Sequence, residues 1–277
     1  MPQDSDWTTR KLDYEPPRID TSKAHSARVY DYLLGGKDNY MSDREAAERL
    51  MKVAPGAADT VRQNRWFLLR LTRYLAEQGI RQFLDLGTGI PTEPNVHEIA
   101  QQVDPAARVV YLDRDPIVAA HAYARLTRSP GGPVAYILAD MRDADAVLSA
   151  PELTGTLDLS LPTALLVLST LHHLTNAEQE RELLHQYLAA LAPGSFLALS
   201  VATSKGDPVE IVEGAQTTLG SQGIKVRNHS LAETVALFDG LELLEPGVVP
   251  VNHWRPASSD ETQLPGVGLH GGVARKP

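Results

Sequence analysis

The sequence predicts an α/β fold: a mostly parallel sheet of seven strands flanked by helices, with an N-terminal helical cap ahead of it. Three observations predict it. From about residue 59 onward, short apolar runs alternate with stretches of helical period, the pattern of βαβ units joined by right-handed crossovers. The first apolar run passes straight into a glycine turn, Gly87-Thr88-Gly89, and then into a helix. The region before that run carries helical segments only. At 277 residues, 43% hydrophobic and 22% charged, the chain can bury one such core and carry an extension.

Taken in order, residues 1–24 are polar, include Pro16 and Pro17, and show no sustained period, so they read as an arm. From Ser26, Val29, Leu33 and Leu34 lead into Gly35-Gly36, which reads as a helix ended by a left-handed glycine. Asp43 to Val53 has helical composition and stops at Pro55-Gly56. These pieces set an expected division into an arm and helical cap, residues 1–58, and a Rossmann-like domain, residues 59–277. In the helix that begins near Asp59, Phe67, Leu71, Tyr74 and Leu75 form a stripe suited to packing on a sheet, and Gly79 ends it. Buried parallel strands are expected at Phe83–Leu86, Val109–Leu112, Val134–Leu138, Ala164–Leu168 and Phe196–Val201. Val96, Ile99, Ala100 and Val103 mark one intervening helix, and Asn176 to Leu191, closed by Pro193-Gly194, marks another. Beyond these lie helices near 208–219 and 231–238, a strand at Leu241–Leu244, a Pro-rich loop or hairpin arm from Pro246 to Pro265, and a last strand at Gly266–Ala274.

Composition narrows the chemistry. With no cysteine, disulfides, thiolate zinc sites and cysteine nucleophiles are excluded together. A formal net charge of −9 argues against sequence-independent nucleic-acid binding, which needs clustered Lys and Arg. No stretch approaches the roughly 20 apolar residues of a membrane span, and no signal-peptide apolar run is visible, so a cytoplasmic protein is expected. The nine histidines are scattered without a metal-binding helix pattern, and no metal is expected.

The chemistry concentrates at the strand ends. In Phe83-Leu84-Asp85-Leu86-Gly87-Thr88-Gly89, the glycines let a ligand approach the backbone, and the helix that follows, starting near Pro94, offers free N–H groups. A dinucleotide fingerprint wants a third glycine, and that position holds Thr92. The missing glycine and the acid Asp85 favour S-adenosylmethionine over NAD. Asp113, with Arg114 beside it, closes the second run, where an acid can accept both ribose hydroxyls of a nucleoside lying across the strand ends. Asp115 reads as the N-cap of a helix opening at Pro116. Asp140 and Met141 follow the third run, placed for the amino group and ring face of adenine; for Asp140 alone, a solvated acid is the plain alternative. The fourth run ends in Ser169-Thr170-Leu171-His172-His173, on the substrate side of such a sheet. Either histidine can serve as general base, His172 first, the alternative being one packed ring and one solvated ring. Methyl transfer from a sulfonium can also proceed largely by alignment. In the N-terminal segment Arg28 can hold the methionine carboxylate, and Tyr30, Tyr32 or Tyr40 can close over cofactor or substrate; an amphipathic helix with a solvated face is the alternative. Asn64 sits on the apolar stripe and requires a partner, the ligand or the lid's backbone.

The segments ARVYDYLLGGKDNY, VRQNRWFL, FLDLGTGIPTEPNVHEIAQ, VVYLDRDPIV, ADMRD and LLVLSTLHHL closely resemble those of the actinobacterial S-adenosyl methyltransferase family, formerly a domain of unknown function. The resemblance covers nearly the whole chain. It implies a class I methyltransferase fold with an N-terminal cap, an S-adenosylmethionine site at Gly87–Gly89 and Asp113, and no settled substrate. A departure is Glu93-Pro94, which stiffens the loop beside the methionine end. The reading that results is methyl transfer to a small-molecule acceptor. Its rivals are a cofactor-binding sensor or partner protein without turnover and, further off, an NAD-dependent oxidoreductase.

Overall fold

The five apolar runs become five adjacent parallel strands in the computed structural model, which describes residues 20–126, 131–204, 208–258, 262 and 268–277. The first strands are β1 (Gln82–Leu86), β2 (Arg108–Asp113), β3 (Val134–Leu138), β4 (Ala164–Leu168) and β5 (Phe196–Ala202). To these the C-terminal region adds β6 (Glu242–Leu243), β7 (Val249–Pro250) and β8 (Leu269–Arg275). The order is β3-β2-β1-β4-β5-β8-β6, with β7 also paired to β8. Every pair among the first five strands is parallel, and β8 runs antiparallel to β5, β6 and β7. Among the described residues the sheet therefore has eight strands where seven were expected. The extra one is β7, two residues inside the Pro-rich stretch, where Pro250 closes a strand that has no further donor to offer. The expected start of the last strand at Gly266 and the arm residues before 20 lie outside the described residues.

Register explains where a ligand can sit. Leu86 pairs with Leu112, and Asp113 with Leu138, so β1, β2 and β3 end at one level and their following turns converge. Because residues alternate across a strand, one face takes Phe83, Val109 and Leu166 and the other takes Leu84, Val110 and Leu165. Among the described residues, ten helices cover these faces or cap the end: α1 (Ser26–Leu33), α2 (Met41–Val53), α3 (Ala57–Glu77), α4 (Val96–Val103), α5 (Pro116–Leu126), α6 (Ala144–Leu148), α7 (Pro151–Thr154), α8 (Ala177–Ala190), α9 (Val209–Ser221) and α10 (Leu231–Ala236). On the first face Phe67, Leu71 and Leu75 of α3 lie wholly buried with Trp254 and Val273. Each such side chain contributes roughly 1.5–3 kcal/mol through burial. On the second, Leu183, Leu184 and Tyr187 of α8 join Leu153 of α7.

A separate small core holds the cap. Val29, Leu33, Ala46, Ala47, Leu50, Val61 and Ile224 form it, with Ala215 and Leu219 of α9 packed alongside. Helix α3 thus belongs to both cores, since its Val61 joins the cap and its Phe67 the sheet. At the cap's first turn the Asp43 carboxylate accepts the His25 N–H at 2.9 Å and the Tyr40 N–H at 2.9 Å, which fixes α1 against the start of α2. Among the described residues no helix is long and apolar enough to cross a membrane.

Candidate functional site

A cavity of about 390 Å³ opens between the carboxyl ends of β1–β4 and the cap, in the range where cofactor and ligand sites are found. Two glycines shape its floor. Gly87 has φ 75° and Gly89 φ 67°, a left-handed conformation that suits glycine. A Cβ on Gly87 would lie 2.4 Å from Thr170 Cγ2, whereas one on Gly89 would meet nothing within 4 Å. The chain here is pinned to the second strand, because the N–H groups of Gly87 and Thr88 donate to the Leu112 carbonyl at 2.7 and 3.0 Å. Asp113 accepts the Gly89 N–H at 2.8 Å and the Asp115 N–H at 3.0 Å. Burial pushes the Asp113 carboxyl above its ordinary value, and those two N–H donors pull it back. Asp115 caps α5 as expected, accepting the Ile117 N–H at 2.9 Å.

Asp85 ends 5% exposed beside this turn. Burial pushes its carboxyl up to about 7, against the hydrogen bond from the Thr88 side chain and the nearby charge of Arg65. Asp140 behaves oppositely: Arg142 donates Nε at 2.9 Å and a second bond to the other oxygen, Arg114 lies 3.8 Å away, and the carboxyl is held below its usual value. Met141, 8% exposed, is fixed through its carbonyl, which accepts the Tyr187 hydroxyl at 2.8 Å.

A buried chain of hydrogen bonds ties the fourth strand to the cap. Ser169, at φ 55°, donates its N–H to Ser200 Oγ at 2.9 Å. Ser200 donates to Asn64 Oδ1 at 2.7 Å, Asn64 Nδ2 donates to the Tyr30 hydroxyl at 3.1 Å, and Tyr30 donates to the Val61 carbonyl at 3.2 Å. A non-glycine residue at positive φ costs on the order of 1 kcal/mol and collects at functional sites. Asn64 thereby finds its partners in Ser200 and Tyr30 while still lining the cavity.

Eleven of the predicted cofactor positions line this cavity: Asp85, Gly87, Thr88, Gly89, Asp113, Arg114, Asp140, Met141, Ser169, Tyr30 and Asn64. Arg28 does not. Its guanidinium is 4% exposed and donates to the carbonyls of Asp20 and Lys23, with Nε 3.6 Å from Asp43 and 3.7 Å from Asp115. Arg28 therefore locks the cap, and the expectation that it holds a ligand carboxylate is corrected. A cation that the sequence reading passed over does line the cavity: Arg65, whose guanidinium reaches the carbonyls of Thr92 and Pro94 and whose buried Nε has no hydrogen-bond partner. Its position lies within VRQNRWFL, so the signal was present without a way to rank it above Arg28. Arg65 also clasps the loop that carries the Glu93-Pro94 departure, a peptide that is cis.

The two histidines separate cleanly. His172 is buried, and its Nδ1 accepts the Ala202 N–H at 3.1 Å, so its proton sits on Nε2 and its basic nitrogen is spent. Burial holds its imidazole well below the ordinary range. His173 Nδ1 lies 2.8 Å from the Lys225 carbonyl, which can only accept, so the lone pair is on Nε2. Both histidines line the cavity, and it is His173, half-buried, whose lone pair the backbone leaves untaken, in place of the first choice His172. Among the described residues no group of three or more acids and histidines is arranged to hold a metal ion.

A family model described as S-adenosyl methyltransferase matches residues 13–277. The chain belongs to the S-adenosyl methyltransferase family. A crystal structure of a DUF574 family protein from Streptomyces avermitilis is 43% identical, covers 94% of this chain and 100% of its own, and superimposes with a TM-score of 0.90. A solved structure from Thermobifida fusca is 39% identical over 95% of this chain and 99% of its own, with a TM-score of 0.87. No curated protein matches the chain. The fold is that of a class I methyltransferase and the cofactor is S-adenosylmethionine, which sets aside the NAD reading. The donors at the cavity fit that molecule. Buried carboxylates at the ends of β1 and β2 suit a ligand bearing an ammonium, a sulfonium and a vicinal diol, and the unpartnered Nε of Arg65 suits its carboxylate.

Proposed function

We propose that this member of the S-adenosyl methyltransferase family transfers a methyl group to a small-molecule acceptor held between the strand ends and the cap. The observation that carries the reading is Asp113: a carboxylate 7% exposed, lining the cavity at the end of β2 and already bonded to the Gly89 N–H of the glycine turn. In this reading Asp113 accepts the two ribose hydroxyls, with Arg114 over the sugar edge. Gly87, Thr88 and Gly89 give backbone contact to the amino-acid part, Asp85 faces its ammonium and Arg65 its carboxylate. Asp140 and Met141 border the adenine. Ser169, Asn64 and Tyr30 hold the wall through which β4 meets the cap, so that residues 25–65 act as a lid over the cofactor. The net charge of −9 supports a small acceptor over a nucleic acid.

S-adenosylmethionine supplies a methyl group on a sulfonium, open to in-line displacement by a nucleophile. The chain's own residues contribute alignment, exclusion of water and a place for the proton. Closing the cap over the cavity removes water from the reacting region. His173 Nε2 is the proton acceptor that its tautomer leaves available.

Calorimetric titration of S-adenosylmethionine, S-adenosylhomocysteine and NAD into the protein tests this, with Asp113→Ala beside it. Micromolar binding of the first two, lost in the variant and absent for NAD, is expected. Conversion of S-adenosylmethionine to S-adenosylhomocysteine in the presence of small-molecule acceptors then separates an enzyme from a sensor, which binds and never turns over.

A further inference from the structure

We propose that the acceptor is a neutral, apolar-bodied small molecule carrying a phenol-type hydroxyl, its body seated between α1, α2 and α9 and its hydroxyl turned toward His173. The proposal rests on the methyltransferase reading above and narrows it to a substrate class.

Charge around the cavity is segregated. Among the described residues, the acids and guanidinium groups that line it come from the ends of β1 and β2, the turns after β2 and β3, and α3, with the single addition of Asp31 in the cap. Asp31 is already used: its carboxylate accepts Asn39 Nδ2 at 2.7 Å and the Asp38 N–H at 3.0 Å. The opposite wall is apolar. Leu34, Leu50, Ile211, Ala215 and Leu219 line it. Helix α9 is the telling element, because it presents an apolar face at Ile211, Val212, Ala215 and Leu219 and yet not one of its residues is buried. An apolar face left half-covered inside a cavity gains roughly 25 cal/mol for each Å² that a ligand takes from water. The polar groups that α9 and the segment after it add to the described lining, Gln216 and Asn228, are neutral amides, and Gln216 Nε2 is spent on the Val226 carbonyl at 3.2 Å.

His173 is tied to that wall. Its Nδ1 donates to the carbonyl of Lys225, whose chain neighbours Ile224 and Val226 both line the cavity. In the reaction the acceptor's hydroxyl oxygen attacks with a lone pair and a C–O bond forms to the methyl carbon. The C–S bond breaks with its pair left on sulfur, and the O–H proton passes to Nε2 of His173. A neutral imidazole takes a proton more readily from a phenol, whose proton leaves near pKa 10 as in tyrosine, than from an alkyl alcohol, which is far less acidic. Among the described residues the arginines at the cavity, Arg65, Arg114 and Arg142, stand with the acids on the far side, so the apolar wall offers an anionic acceptor no cationic partner.

The test uses the full chain saturated with S-adenosylhomocysteine and titrated with 2-naphthol, followed by naphthol fluorescence, against 6-hydroxy-2-naphthoate, the same ring system with a charge. Naphthol is expected to bind at least about tenfold more tightly than the naphthoate, and Ala215→Trp and Ile211→Glu are each expected to weaken it by about tenfold while S-adenosylhomocysteine affinity holds. His173→Gln, which keeps a donor to Lys225, is expected to retain naphthol binding and lose formation of 2-methoxynaphthalene from S-adenosylmethionine. Equal or tighter binding of the naphthoate, no naphthol binding to the loaded protein, or unchanged binding in both folded wall variants overturns the proposal. Failure of S-adenosylhomocysteine itself to bind, read separately by calorimetry, overturns the methyltransferase reading and this inference with it.

Discussion

At single residues the site makes opposed demands that substitution can separate. Gly87 and Gly89 share a left-handed backbone, yet an added Cβ clashes with Thr170 at Gly87 and meets open space at Gly89. Gly87→Ala is therefore expected to destabilise the fold by about 2 kcal/mol or more, strain plus overlap. Gly89→Ala is expected to cost on the order of 1 kcal/mol, stay folded, and lose S-adenosylhomocysteine binding because the methyl enters the space the ligand needs. Equal thermal shifts for the two in a melting experiment would contradict this account. Asp85 is the second case. Its folded carboxyl titrates at about 7, above an unfolded value of about 3.9, so the folded state keeps its proton longer and stability falls as pH rises through that window. Asp85→Asn is expected to leave stability nearly unchanged at pH 3, below both values, and to stabilise the ligand-free protein increasingly from about pH 4 to pH 7, by on the order of 4 kcal/mol at pH 8. The same variant loses the partner of the ligand's ammonium, so S-adenosylhomocysteine binding is expected to weaken by about tenfold at pH 8. Stabilisation without that loss would place the ammonium elsewhere.

Among elements, the cap depends on one buried cation. Arg28 on α1 reaches the carbonyls of Asp20 and Lys23 and stands between the carboxylates of Asp43 on α2 and Asp115 at the head of α5. Removing it leaves two buried acids without their cation, a loss of about 3 kcal/mol for a pair broken on one side. Arg28→Ala is expected to lower the melting temperature and to speed amide exchange across 25–53 while β1 and β2 stay protected. Uniform exchange in both regions would show that cap and sheet unfold as one. This arrangement also marks what a sequence can convey. The five parallel strands were legible because each is a continuous apolar run of a length typical of buried strands, and the expected bounds differ from the observed ones by one residue at most. Helices α6 and α7, five and four residues long, and the two-residue β7 are too short to establish a period. Acids at strand ends were legible for the same reason as the strands. Arg28 was misread because the acids that claim it are distant in sequence. His172 and His173 differ only in which backbone group meets Nδ1, the Ala202 N–H or the Lys225 carbonyl, and both partners come from remote segments.

For the whole molecule, the hydrogen-bond chain from Ser169 through Ser200, Asn64 and Tyr30 to Val61 joins sheet and cap through the wall of the cavity itself. Residues of both parts line that cavity, so a ligand held as proposed above binds only when both are in place. Its binding free energy then adds to the stability of the entire fold, by about 2.7 kcal/mol at a hundredfold excess over Kd. For a chain of this size that corresponds to a melting shift of about 5 °C or more. The shift is expected in the wild type with S-adenosylhomocysteine and is expected to vanish in Asp113→Ala. Asn64→Ala severs the chain at its middle and leaves the Ser200 and Tyr30 hydroxyls without their buried partner, at about 1–3 kcal/mol. In that variant the ligand is expected to protect residues 85–89 and 113 from exchange as before, while protection of α1 and α2 falls away. Should α1 and α2 remain as protected by ligand as in the wild type, coupling between cap and sheet runs through the packing of α3, which has buried members in both cores, and not through this hydrogen-bond chain.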